Sequence, residues 1–123
     1  MRRSVQAGFT LIELIIVIVI LGILAAVALP NFFSVTADAQ QAATDGIAGN
    51  LSSASATNFA IRSGFSTRGV AIANCSDVSG ALAGGLPSGY TITAAAITAG
   101  STASCTVTGP GSKTATFTGH GIA

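Results

Sequence analysis

GFTLIELIIVIVILGILAAVALP, Gly8 to Pro30, is an apolar run that holds one acid, Glu13, near its start. From Leu14 to Leu29 no side chain carries a charge or a hydrogen-bonding group. A helix of this composition is apolar all round and has no water-facing side, so it belongs in lipid or in a bundle of apolar helices. Phe9 to Leu29 as a helix measures about 32 Å, close to a hydrocarbon core of about 30 Å. Arg2 and Arg3 lie just ahead of the run. Their positive charge keeps the N-terminus cytoplasmic and sends the remainder across.

Glu13 is the anomaly. An acid at the centre of a membrane helix costs about 2.5–3.5 kcal/mol. Near the helix start the cost is smaller, and a carboxylate suits the positive end of the helix dipole. Glu13 is then either a tolerated acid at a membrane surface or a functional group with a partner. A secretory reading leaves it unexplained. In that reading Arg2 and Arg3 open a signal peptide, Ala26-x-Ala28 offers a cleavage pattern, and a small binding domain is released after Ala28.

The rest of the 123-residue chain has another character, rich in Ala, Ser, Thr and Gly. Beyond Arg2 and Arg3 there are three bases (Arg62, Arg68, Lys113) and four acids (Glu13, Asp38, Asp45, Asp77), a net of −1. No basic stripe forms, so nucleic acid is not expected as a dedicated ligand. Cys75 and Cys105 fall in the half that a membrane anchor would place outside the cytoplasm. An oxidising compartment favours a disulfide between them, and a core this small benefits from one. Two buried free thiols are the alternative.

After Pro30 the helical pattern turns amphipathic. Ile47, Leu51 and Ala54 fall on one face, with Asp38, Gln41 and Asp45 on a polar stripe. Ser63-Gly64 is a stop, with Arg62 in the last turn. Unbroken from Phe9 to Ser63, such a helix measures about 80 Å, its first part projecting and its second packed on a head. Pro30 removes a backbone bond and favours a kink, and Gly22 weakens the helix by about 1 kcal/mol relative to Ala. Residues 64–85 read as an irregular connection. Strand signals follow in GYTITAAAIT, ASCTVTG and KTATFTG, with Gly109-Pro110-Gly111 as a turn. The expected fold is α+β: a long N-terminal helix packed against a small antiparallel sheet of three to four strands.

Residues for chemistry are scarce. His120, four residues from the end, reads as a solvated side chain that nothing positions as base or ligand. Without it no Ser–His–Asp or Cys–His set can be built. The acids lack the spacing of a catalytic pair, and Gly80, Gly84 and Gly85 lack the Lys of a phosphate-binding loop. No catalytic residue, metal site or cofactor is expected. Asn50-Leu51-Ser52 and Asn74-Cys75-Ser76 match the glycosylation triplet only as short motifs.

AGFTLIEL, Ala7 to Leu14, resembles the processing and assembly motif of type IV prepilins, and the likeness extends through LIIVIVILGILAAVALPNF. It covers roughly the first third of the chain. The resemblance implies a leader, residues 1–8, removed by a prepilin peptidase between Gly8 and Phe9, with methylation of the new Phe9 amine. It implies a membrane and filament-core helix over 9–29, an amphipathic half over 30–63, and a disulfide-bearing head over 64–123. Glu13 would then pair with a Phe9 amine, of its own chain or of a neighbour, and Gly22 and Pro30 would bound a stretch where the helix loosens in the filament. The implied product is a homopolymer, drawn from an inner-membrane store by an assembly machinery of membrane platform, ATPases and secretin into a surface pilus. Adhesion, twitching motility and DNA uptake are its uses in the family. A minor pilin or a type II secretion pseudopilin shares the same motif.

Overall fold

The structure, a computed structural model, describes residues 8–123. The segment expected as a leader, residues 1–8 with Arg2 and Arg3, lies outside the described residues except for Gly8. The chain divides into two compact units, Met1–Thr36 and Ala37–Ala123. One helix, α1 (Leu11–Gly64), contributes to both.

In the first unit every described residue is exposed, and the side chains from Phe9 to Val35 include nearly all the exposed large hydrophobics of the protein. Helical backbone runs through Gly22 and Pro30 without a break. Pro30 cannot donate to the Ala26 carbonyl. One residue on, the Asn31 amide donates to the Val27 carbonyl at 3.4 Å, and Thr36 Oγ1 donates to the Phe32 carbonyl at 3.0 Å. By length and composition α1 is long and apolar enough to cross a membrane.

The second unit is built on the C-terminal half of α1 and a three-stranded antiparallel sheet in the order β1 (Thr91–Ile92), β2 (Thr102–Thr108), β3 (Thr114–His120). The main pairing is β2 with β3, in register Cys105↔Phe117 and Val107↔Ala115. Alternation puts Cys105, Val107 and Phe117 into the core while Thr114, Thr116 and Thr118 stay exposed. The core joins these residues to Ala48 and Leu51 of α1, and to Ile72, Cys75, Val78 and Ile97. Gly109–Lys113 closes the hairpin, with the Gly109 N–H donating to the Lys113 carbonyl at 2.7 Å. Gly111 sits at φ 70°, a left-handed conformation that suits glycine.

Four local expectations are corrected. The strand foreseen in GYTITAAAIT contracts to Thr91–Ile92, because the chain leaves β2 to pair with another segment: Ala96 bridges Asn74, and Ile97 N–H donates to Ala73 O at 2.8 Å. The connection 64–85 is not irregular throughout. It holds a 3-10 helix, Cys75–Ala81, and Ile72 bridges Ile122. The buried face of α1 is Thr44, Ala48, Leu51, Ser55 and Asn58, while Ile47 and Ala54 are half-buried. Gln41, placed on the polar stripe, is half-buried and donates to the Thr114 carbonyl at 2.9 Å.

The polar character of that buried face has a physical cause. β3 is an edge strand, and an edge left bare exposes unpaired backbone groups. Here α1 covers it with side chains. Ser52 Oγ accepts from the Thr118 N–H at 3.0 Å, and Ser55 Oγ accepts from the His120 N–H at 2.7 Å. One turn on, Asn58 does the same for Val70, donating from Nδ2 to its carbonyl and accepting at Oδ1 from its N–H, both at 2.8 Å.

Candidate functional site

The start of α1 is formed by Thr10 and Glu13. The Thr10 carbonyl accepts the first helical bond, from the Leu14 N–H at 3.2 Å, so Thr10 stands at the cap. Its Oγ1 accepts from the Glu13 N–H at 3.3 Å, and Glu13 Oε2 accepts from the Thr10 N–H at 3.2 Å. Two N–H groups without helical partners are thus satisfied reciprocally, in the S/T-x-x-E capping box. TLIE, Thr10 to Glu13, carries the sequence signal of that box, a role for Glu13 beyond the helix dipole, the membrane surface and the Phe9 amine. Gly8 and Phe9 precede this cap in non-helical backbone, and both are exposed. Gly22 and Pro30 lie farther along the same helix.

Cys75 and Cys105 are bonded to each other, with Cα atoms 5.7 Å apart and a sequence separation of 30. Both are buried. The bond ties the first residue of the 3-10 helix to the centre of β2. Asn74 caps that helix, its Oδ1 accepting from Ser76 N–H at 3.2 Å and Ala95 N–H at 3.1 Å, while Asp77 Oδ2 accepts from Asn74 N–H at 2.9 Å. Asn74 is therefore engaged as a cap, and its glycosylation triplet is explained by structure.

His120 is not the free terminal residue foreseen. It ends β3, half-buried, with Nδ1 3.3 Å from Ser55 Oγ and its ring 5.8 Å from that of Phe59. Ser55 is fully buried, so its hydroxyl is out of reach of a substrate. An open cleft of about 650 Å³ between α1 and the hairpin is lined by Asp45, Ser52, Thr106 and Thr116 among others, a set of hydroxyls and one acid. Among the described residues no group of three His, Cys, Asp or Glu side chains is placed to hold a metal.

The motif described as the prokaryotic N-terminal methylation motif matches residues 3–29. Over 47 residues the chain is 57% identical to the type IV narrow pilus major component PilA5 of Thermus thermophilus, covering 38% of this chain and 40% of that one. Over 49 residues it is 53% identical to the fimbrial protein EcpC of Eikenella corrodens, covering 40% and 32%. Over 38 residues it is 66% identical to the type IV major pilin protein PilE1 of Neisseria gonorrhoeae, covering 31% and 23%. The chain thus spans well under half the length of the curated relatives it matches. No solved structure matches it. The likeness is thus to the N-terminal methylation motif and to the first part of type IV pilins and fimbrial proteins, over the stretch that forms the exposed apolar start of α1.

Proposed function

We propose that this chain is a structural subunit of a type IV pilus, held in the inner membrane by the first part of α1 and polymerised through it into a surface filament. One observation carries the reading. Through the segment that matches the methylation motif and just beyond it, the side chains from Phe9 to Val35 are apolar except at Thr10, Glu13, Asn31 and Ser34, and none of them is covered. Such a surface requires lipid or other copies of itself.

In this reading a prepilin peptidase cuts between Gly8 and Phe9, ahead of the apolar segment, and that segment stays with the mature protein. The cut creates a Phe9 amine, which the peptidase methylates. Glu13 of an incoming subunit then answers the amine of its neighbour. Pairing offsets the desolvation of both charges, and its main effect is to set register, since a buried acid left alone would be strongly unfavourable. Gly22 to Pro30 is the stretch of helix that loosens in the filament. The membrane platform, assembly ATPases and secretin of a pilus system act on the subunit. Adhesion, motility and DNA uptake are the filament's candidate uses.

The test is N-terminal mass determination on the mature protein, together with electron microscopy of sheared surface filaments and identification of their main component. Methylated Phe9 in the filament's main protein is the expected result. A mature chain starting at Leu29 overturns the reading in favour of secretion, and one starting at Met1 in favour of an unprocessed anchor.

A further inference from the structure

In the unit Ala37–Ala123 the large hydrophobics left exposed are Ile61, in the last turn of α1, and Phe65 and Val70, in the segment that follows it. Arg68 belongs to the same patch. Its guanidinium lies over the Phe65 ring, 5.3 Å from the centroid. Arg62, beside it, is occupied: Nε donates to the Ala123 carbonyl at 2.6 Å and Nη1 to the Arg68 carbonyl at 3.4 Å. Arg68 itself has no hydrogen-bonded partner for its side chain among the described residues. A rigid aromatic with an adjacent arginine is the composition of an interface centre rather than of ordinary surface.

The complementary charges sit at the other end of the same unit. Asp38, Ala42 and Asp45 form one exposed face of α1, at spacings of four and three. Asp45 accepts from the Gln41 amide at 2.9 Å, whereas Asp38 makes no side-chain hydrogen bond among the described residues. Beside them, Gly46 occupies mid-helix with nothing within 4 Å of where a Cβ would stand. Packing within the chain therefore does not require glycine there, although glycine weakens a helix. Lys113, near Thr114 and hence near Gln41, leaves this end net acidic. Asp38 and Arg62 are about 36 Å apart along α1, so the two ends cannot pair within one chain.

We propose that the Phe65–Arg68 patch of one subunit seats on the Asp38–Asp45 face of a second copy, with Phe65 on the Ala42–Gly46 surface and Arg68 paired to Asp38. The contact is head-to-tail, so each subunit offers both halves, and repetition builds a helical filament rather than a closed dimer. The charges fix register between heads, which is the main effect of complementary rim charges. The inference rests on the filament reading and adds a contact between heads to it.

Charge reversal tests it in cells that assemble the full chain. Arg68→Glu alone and Asp38→Lys alone are expected to lower sheared filament yield by about tenfold, with precursor level and N-terminal processing unchanged, since like charges then face each other. The two together are expected to restore yield to within about threefold. Independently, Phe65→Cys combined with Ala42→Cys is expected to give a covalent ladder on oxidation of filaments. Wild-type yield from both single reversals, a double variant no better than the singles, or the absence of a ladder overturns the pairing while leaving the filament reading intact. A wild-type chain that forms no filament overturns both.

Discussion

Thr10 and Glu13 hold each other's backbone: each side chain accepts the other's N–H, at 3.2 and 3.3 Å. The carboxylate that looked misplaced in an apolar run is therefore satisfied within its own chain before any neighbour arrives. A role in assembly must be separable from this capping role, and the two respond differently to chemistry. Capping needs an oxygen acceptor, whereas pairing with an amine needs charge.

Glu13→Gln keeps the acceptor and removes the charge. It is expected to leave the helix start, membrane insertion and leader removal intact while lowering filament yield by tenfold or more. Glu13→Ala removes both and adds the loss of a cap contact, about 0.5–2 kcal/mol by analogy with cap substitutions. Precursor level, N-terminal mass and filament yield measured on both variants check this. Filaments from Glu13→Gln at wild-type yield would mean that capping alone accounts for the acid.

The disulfide closes a loop 30 positions long. In the chain-entropy account such a bond stabilises by about 3–4 kcal/mol. Cys75→Ser with Cys105→Ser, in the full chain, is expected to lose about that much. The buried hydroxyls between β2 and the 3-10 helix add a smaller desolvation cost. Denaturant unfolding of the detergent-solubilised protein, with and without reductant, measures it. The wild type under reductant should move toward the variant, and the variant should not move.

Asn58 makes both backbone bonds of Val70 from a position only 5% exposed. Asn58→Ala leaves a donor and an acceptor behind without partners, at about 1–3 kcal/mol for the unsatisfied group. Asn58→Asp is expected to cost more. It replaces the donor with a second carboxylate oxygen facing the Val70 carbonyl and buries a charge. The order Asn, Ala, Asp in denaturation midpoint is the outcome to look for, and Asp equal to or above Ala would contradict it.

The helix, its apolar first half and the β2–β3 hairpin were legible because each announces itself by period: an uninterrupted apolar run, then alternation around Cys105, Val107 and Phe117. What was not legible had lost the apolar signal on which period depends. The buried face of α1 runs Thr44, Ala48, Leu51, Ser55, Asn58, three polar residues among five, and hydrophobic counting put the face at Ile47, Leu51 and Ala54 instead. His120 looked free because its partner, Ser55, is 65 positions away and its own neighbours are glycines. The short β1 could not be foreseen either, since Ala95 and Ala96 pair with Cys75 and Asn74, a choice made by the tertiary fold and not by propensity.

Gly121 shows the same dependence on distant partners, and it supplies a sharp test. It is buried where the chain leaves β3, with its N–H donating to Ser101 O at 2.9 Å and its carbonyl accepting from Gly100 N–H at 2.8 Å. A Cβ here would collide with the Thr98 carbonyl oxygen and come 2.9 Å from Ile97 Cγ2. The first is backbone and cannot rotate away, so the 97–101 segment must shift and strain both bonds. Gly121→Ala is expected to destabilise the head by about 1–3 kcal/mol, the usual cost of overpacking. Gly84→Ala is the contrasting case, because a Cβ there meets nothing within 4 Å and only its φ of 82° opposes substitution. Denaturation midpoints of the two variants should therefore separate, with Gly121→Ala the lower. Equal midpoints would mean that the 97–101 segment yields freely and does not bind the end of the chain to the head.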